Sequence, residues 1–128
     1  MSVTYEWYDD QQTIVHVRMS GRWRWDDVFA VTNAAARDKD GQDDSIVAIV
    51  DMRETNHMPM DVTKAARGMQ PFAPHHRHNI YVDPPRMMRM GLDIVLRAVP
   101  DDMQAIQFDF VDTFDQALAK ARAIRDAE

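Results

Sequence analysis

The residues whose types and spacing suit acid–base or ligand chemistry fall in two stretches of this 128-residue chain. In the first, Asp51-Met52-Arg53-Glu54-Thr55-Asn56-His57 runs on to Asp61-Val62-Thr63, so that His57 stands near Asp51, Glu54 and Asp61. These are the residue types of a general acid–base pair. The second is His75-His76-Arg77-His78, where an extended backbone would put His76 and His78 on one side, and His57 from the neighbouring loop would complete three nitrogen ligands for a metal ion. Each stretch has a plainer reading. Carboxylates crowd His57 through proximity in the chain alone, and neither a nucleophile elbow nor an oxyanion glycine accompanies them. Asp51 suits a strand end, capping the turn that follows with Arg53 as its partner. Arg77 would repel a cation, no histidine pair stands at i, i+4 on a helix, and the flanking prolines mark a surface loop, solvated or facing an anionic partner. The expectation is therefore a protein that is not an enzyme, with no catalytic residues, metal site or cofactor. Arg53, Thr55, His57 and Met90 are its candidate binding residues.

A central strand must carry the first stretch. Ile46-Val47-Ala48-Ile49-Val50, ahead of Asp51, is the only uninterrupted apolar run rich in β-branched residues, and both of its faces are apolar, as in a strand buried between layers. The other strand candidates alternate. Val3 to Tyr8 places Val3, Tyr5 and Trp7 on one side; Thr13 to Ser20 places Val15, Val17 and Met19 opposite Ile14, His16 and Arg18, so the two form a hairpin. The face shared by His16 and Arg18 is expected to be solvated or lightly covered. After Gly21, Asp26-Asp27 opens a helix running to about Arg37, since carboxylates in a first turn complement the helix dipole. Trp25, Val28, Phe29, Thr32, Ala35 and Ala36 fall on its packing face. The Trp23-Arg24-Trp25 triplet suits one tryptophan stapling the helix start and the other half-covering a sheet edge; no basic patch surrounds it to make a base-stacking platform.

Further along, Asp61 caps a helix from Val62 to about Met69, a short strand spans Asn79 to Asp83, and a helix runs from Arg86 to about Ala98. Ala105 to Val111 alternates with Ile106, Phe108 and Phe110 inward and Gln107 and Asp109 outward. Thr113-Phe114-Asp115-Gln116 is a capping box, opening a helix that buries Phe114, Ala117, Leu118, Ala121 and Ile124. Met58, Met60, Met69, Met87, Met88 and Met90 cluster around the middle helices; they suit core packing, and Met90, off the packed stripe, also suits an adaptable binding surface or an oligomer contact.

Length and composition bound the rest. One domain, 1–128, has room for a single core. With no cysteine there is no disulfide or thiolate site, and the net charge of −6 opposes binding to nucleic acid. Neither a basic leader nor a membrane span is visible, so a cytoplasmic location is the default expectation.

The element order β-β-α-β-α-β-α-β-α, Gly21 before the first helix, the apolar strand ending at Asp51 and the Phe110-Val111-Asp112-Thr113-Phe114 helix start together resemble the STAS-like superfamily. Within it the chain looks like the SpoIIAA-like, STAS/SEC14-type bacterial proteins. The resemblance implies a single α/β domain with a mixed five-stranded sheet and helices mainly on one face. It also implies a non-catalytic binding or regulatory role through a protein partner or homodimer, or else carriage of a small apolar ligand or lipid in a Met-lined pocket. A third implication is a phospho-regulated switch like the anti-sigma-factor antagonists. Those carry a phosphorylated residue in an Asp-Ser-Ser-Gly-like turn after the third strand. Here serine and glycine are missing from that turn, Thr55 and Thr63 are the available hydroxyls, and Asp61 would repel a phosphate placed beside it.

Overall fold

The computed structural model describes residues 2–10, 12–38, 46–55, 76–86, 89–90 and 107–127. Five strands form one mixed sheet in chain order: β1 (Val3–Trp7), β2 (Ile14–Ser20), β3 (Ile46–Glu54), β4 (His76–Val82) and β5 (Gln107–Val111). β1 is antiparallel to β2, and β2 to β5 run parallel. β3 is central, as the apolar run implies, and continues four residues past Val50, so Asp51 lies inside the strand rather than at its end. Between β2 and β3 runs helix α1 (Trp25–Asp38), and after β5 comes α2 (Phe114–Asp126).

The β1–β2 hairpin is organised by Asp9. Its carboxylate accepts the backbone N–H of Thr13 (2.8 Å) and Ile14 (3.0 Å) and the Thr13 hydroxyl, closing a turn in which Gln12 takes φ +56°. Helix α1 begins where Asp27 accepts the Arg24 N–H at 3.1 Å, one residue earlier than the aspartate pair suggests. Helix α2 carries the expected reciprocal cap: Gln116 donates its N–H to the Thr113 hydroxyl (3.2 Å) and accepts the Thr113 N–H through Oε1 (3.2 Å).

The two helices cover opposite faces. Trp25, Val28 and Val31 of α1 pack on Val15, Val17, Ala48, Val50 and Tyr81. Ala117 and Ala121 of α2, with Phe114, Leu118 and Ile124 at their margin, pack on Ile14, Val47, Ile49, Ile80 and Val82. The arrangement of helices mainly on one face does not hold for these two. The handedness rule binds helices that connect parallel strands, as α1 does; α2 follows the last strand, connects nothing, and closes the other face. The helices expected over 62–69 and 86–98 lie outside the described residues except for Arg86, Arg89 and Met90, which are helical.

Three further expectations need correction. Trp23 and Trp25 are both buried, ring to ring at 4.8 Å and nearly perpendicular, so neither merely half-covers an edge. β4 starts at His76 rather than Asn79, so the histidine stretch is strand and not surface loop; His75 lies outside the described residues. In β5, Phe110 is 37 % exposed while Asp109 turns toward α2 and pairs with Lys120, because β5 is an edge strand, where alternation alone does not say which face is drier.

Candidate functional site

The site grows from a single buried carboxylate. Two residues beyond the apolar run, Asp51 lies on the α2 side of β3 and is almost fully buried. Such a group persists as an anion only when its oxygens are occupied. Arg53, two residues on and on the same side of the strand, supplies three donors: backbone N–H (3.2 Å) and Nε (2.9 Å) to Oδ1, and Nη2 (2.6 Å) to Oδ2. The fourth is His16 Nε2, at 3.1 Å from Oδ2. Burial by itself pushes the Asp51 carboxyl up; the Arg53 guanidinium and backbone N–H, then His16, outweigh it and hold the group at about 2.

His16 reaches Asp51 because β2 and β3 are parallel neighbours whose register pairs Arg18 with Asp51 and His16 with Ile49. Its ring is buried, with Phe114 packed against it at a centroid distance of 4.7 Å. On the far side, Nδ1 lies 3.7 Å from Oε1 of Glu6, the residue opposite His16 on β1. Phe114 also receives the Arg53 guanidinium 5.6 Å above its ring. Thus β1, β2, β3 and the start of α2 converge at the carboxyl end of the central strand, where ligands bind in open α/β sheets. Of the Asp51–Arg53 pair, Arg53 is the one that reaches out: its side chain is 46 % exposed against 6 % for Asp51.

Of the sequence-derived candidates, the structure brings Arg53 into this site and places Thr55 just beyond it. The Thr55 hydroxyl donates to the Gly21 carbonyl at 2.6 Å, and Gly21 N–H donates to the Glu54 carbonyl at 3.2 Å, lashing the end of β3 to the turn before α1. Gly21 sits at φ +58°, a conformation that suits glycine. Met90 stands 66 % exposed, off the packed core as its helical position implies. His57 and Thr63 lie outside the described residues.

His16, Glu6 and Phe114 were not singled out as a site. The face of His16 was expected to be solvated, yet the ring is covered by Phe114 and hydrogen-bonded to Asp51, 35 positions away in sequence, while Arg18 on the same face is exposed. A second polar cluster was missed likewise. His78 of β4 is buried and bonds through Nε2 to Asp109 of β5, whose other oxygen takes Lys120 Nζ of α2 at 2.8 Å.

No family model, curated protein or solved structure matches this chain.

The chemistry of the Asp51 site must therefore be taken from its geometry. Asp51 accepts from His16 Nε2 and Arg53; among the described residues no hydroxyl approaches His16 to be activated as a nucleophile. Among the described residues no three His, Cys, Asp or Glu side chains gather to hold a metal ion. No helix among them is long and apolar enough to cross a membrane. What the arrangement does is hold a guanidinium in a fixed orientation at the surface. Its planar fork is occupied on one side by Asp51, and its remaining N–H donors meet no acceptor among the described residues.

Proposed function

We propose that the chain is a non-catalytic binding or regulatory domain of the STAS-like, SpoIIAA-like type, acting through protein–protein contacts at the carboxyl end of β3. The observation that carries this reading is the fixed, half-exposed Arg53. A guanidinium already oriented by Asp51 and Phe114 loses little conformational freedom when a partner docks, and that economy favours recognition. Arginine is also among the residues that anchor protein interfaces most often.

The test is quantitative affinity capture with wild type, Arg53→Ala and Arg18→Ala as baits, Arg18 being an exposed neighbour on the same sheet face. A partner retained by wild type and Arg18→Ala but lost from Arg53→Ala supports the reading. Identical partner sets for all three refute it. A second reading, carriage of a small apolar ligand, draws on Met90, an exposed and adaptable side chain; a small molecule retained in native mass spectrometry and lost from Met90→Ser would favour it. The phospho-switch has less support at Thr55, whose hydroxyl is engaged with Gly21.

A further inference from the structure

We propose that the strip Arg53, Phe114, Tyr8 and Arg122 is the docking site for an acidic segment of a partner protein, which lies extended with a carboxylate on each guanidinium and an apolar side chain on the two rings between them. This rests on the reading of Arg53 as the binding residue and names the chemistry of its partner.

The strip forms where α2 borders the β1–β2 hairpin. Helix α2 packs against β3, β4 and β5. Beside it, Thr4, Glu6 and Tyr8 are exposed, while the alternate residues Val3, Tyr5 and Trp7 turn to the core under α1. Tyr8 still belongs to the ladder, donating its N–H to the Ile14 carbonyl at 2.8 Å. Phe114 and Arg122, about two turns apart on α2, both reach toward it. The Phe114 ring lies 6.1 Å from the Tyr8 ring, the Arg122 guanidinium sits 5.8 Å over Tyr8, and the Arg53 guanidinium sits 5.6 Å over Phe114. The order along the surface is therefore cation, ring, ring, cation. Both ends are held: Arg53 by Asp51, and the hairpin turn by Arg125, whose Nη1 lies 3.6 Å from Oδ2 of Asp9. A surface ordered before docking loses little freedom when it is occupied.

Charge complementarity chooses the occupant. A guanidinium is a donor only, and one that rests on an aromatic face keeps the N–H groups of its edge for acceptors. Arg122 is exposed and forms no ion pair with a described residue. Glu54 and Asp115 lie near enough to attract Arg53, but neither bonds to it. In a chain of net charge −6, two ring-mounted cations with open edges reverse the local sign and steer an acidic partner to this place. Between them Tyr8, 43 % exposed, and the half-buried Phe114 offer aromatic surface of the kind enriched at interfaces. A second copy docked isologously would oppose arginine to arginine, so the occupant is a different chain. An extended segment advances about 3.3 Å per residue and points alternate side chains the same way. Carboxylates at about its first and fifth positions, with an apolar residue at the third, match the spacing of the two rings and their cations.

The test is selection from a displayed library of random peptides on the whole chain. Wild type is expected to enrich peptides in which two acidic residues, about four positions apart, flank an apolar one. In fluorescence anisotropy a selected peptide is expected to bind about fivefold more weakly to Arg122→Ala, the loss of one exposed charge pair, about tenfold more weakly to Arg53→Ala, and unchanged to Arg18→Ala. Arg122→Glu is expected to reject the selected peptide and to accept it once one glutamate is exchanged for lysine, a recovery that a folding defect would not produce. Selection without acidic enrichment overturns the proposal, as does equal affinity of wild type and Arg122→Ala, or no recovery with the lysine peptide. A wild-type dimer that Arg122→Ala dissociates in native mass spectrometry would assign the strip to a second copy, and phosphatidylserine vesicles bound in preference to peptides would assign it to a membrane surface; either overturns the proposal. A captured partner lost from Arg53→Ala but kept by Arg122→Ala leaves the Arg53 reading standing while the acidic strip falls, so the two failures are told apart.

Discussion

Replacing Asp51 with alanine removes the acceptor that joins β2 to β3 on the α2 side of the sheet. Four hydrogen bonds end on this carboxylate, but they are unequal in consequence. Arg53 is half-exposed and can turn its guanidinium to water, so its lost bonds cost little. His16 cannot, because its ring is enclosed by β3 and Phe114, and an orphaned buried donor costs about 1–3 kcal/mol. The expected loss for Asp51→Ala is therefore about 2–3 kcal/mol, below the roughly 3–5 kcal/mol of breaking a fully buried pair. Asp51→Asn, which keeps one accepting oxygen, should lose about half as much. The acid limb of stability gives an independent reading. The folded carboxyl sits at about 2 against an ordinary 3.8, so its contribution is fully present above pH 4 and disappears as the pH falls through the folded value. That difference corresponds to about 2.5 kcal/mol at most, and water around Arg53 lowers it to about 1–2 kcal/mol. Urea unfolding of wild type, Asp51→Ala and Asp51→Asn between pH 2 and pH 7 measures both quantities. A stability gap between wild type and Asp51→Asn that stays constant from pH 7 down to pH 2 would refute the charged hub.

Three smaller perturbations test the frame around it. Thr113→Ala removes the side-chain half of the α2 cap and should cost about 1 kcal/mol in urea unfolding, with no change in the slope of the transition. Asp9→Ala takes away the acceptor for two backbone N–H groups and a hydroxyl in the β1–β2 turn; thermal unfolding should fall by several degrees, reflecting about 1–2 kcal/mol. Gln12→Gly should act in the opposite direction, since the left-handed conformation costs a non-glycine residue about 1–2 kcal/mol and glycine's extra chain entropy returns part of it, leaving a net gain of about 0.5 kcal/mol by calorimetry.

The fold was legible where local chemistry is self-sufficient. The apolar stretch of β3, the alternation of β1 and β2, and the Thr113–Gln116 box each contain their own reason for forming. Element ends were read less well: β3 and β4 run farther than their apolar cores because polar residues there pair across strands, Asp51 with His16 and His78 with Asp109. Those partners are 35 and 31 positions apart, and nothing in the spacing of a lone histidine announces a carboxylate on the next strand. Hence Arg53 was recognised beside Asp51, two residues away, whereas His16 was assigned to a wet face. The signal available was register: once β2 is laid parallel to the central strand, Arg18 falls opposite Asp51 and His16, two residues back on the same face, becomes its diagonal neighbour.

The pairing of β2 with β3 also slips by one residue, from Arg18 opposite Asp51 to Ser20 opposite Glu54. Met52 and Arg53 together face the single residue Met19, so a bulge bends the end of the central strand. One of the pair sinks fully into the α1 side while the other leans out over Phe114. The length of this edge of the chain is thus part of the site. Inserting one residue after Met19 would let the ladder run flush and return Arg53 to ordinary pairing, without altering any of the side chains that hold it.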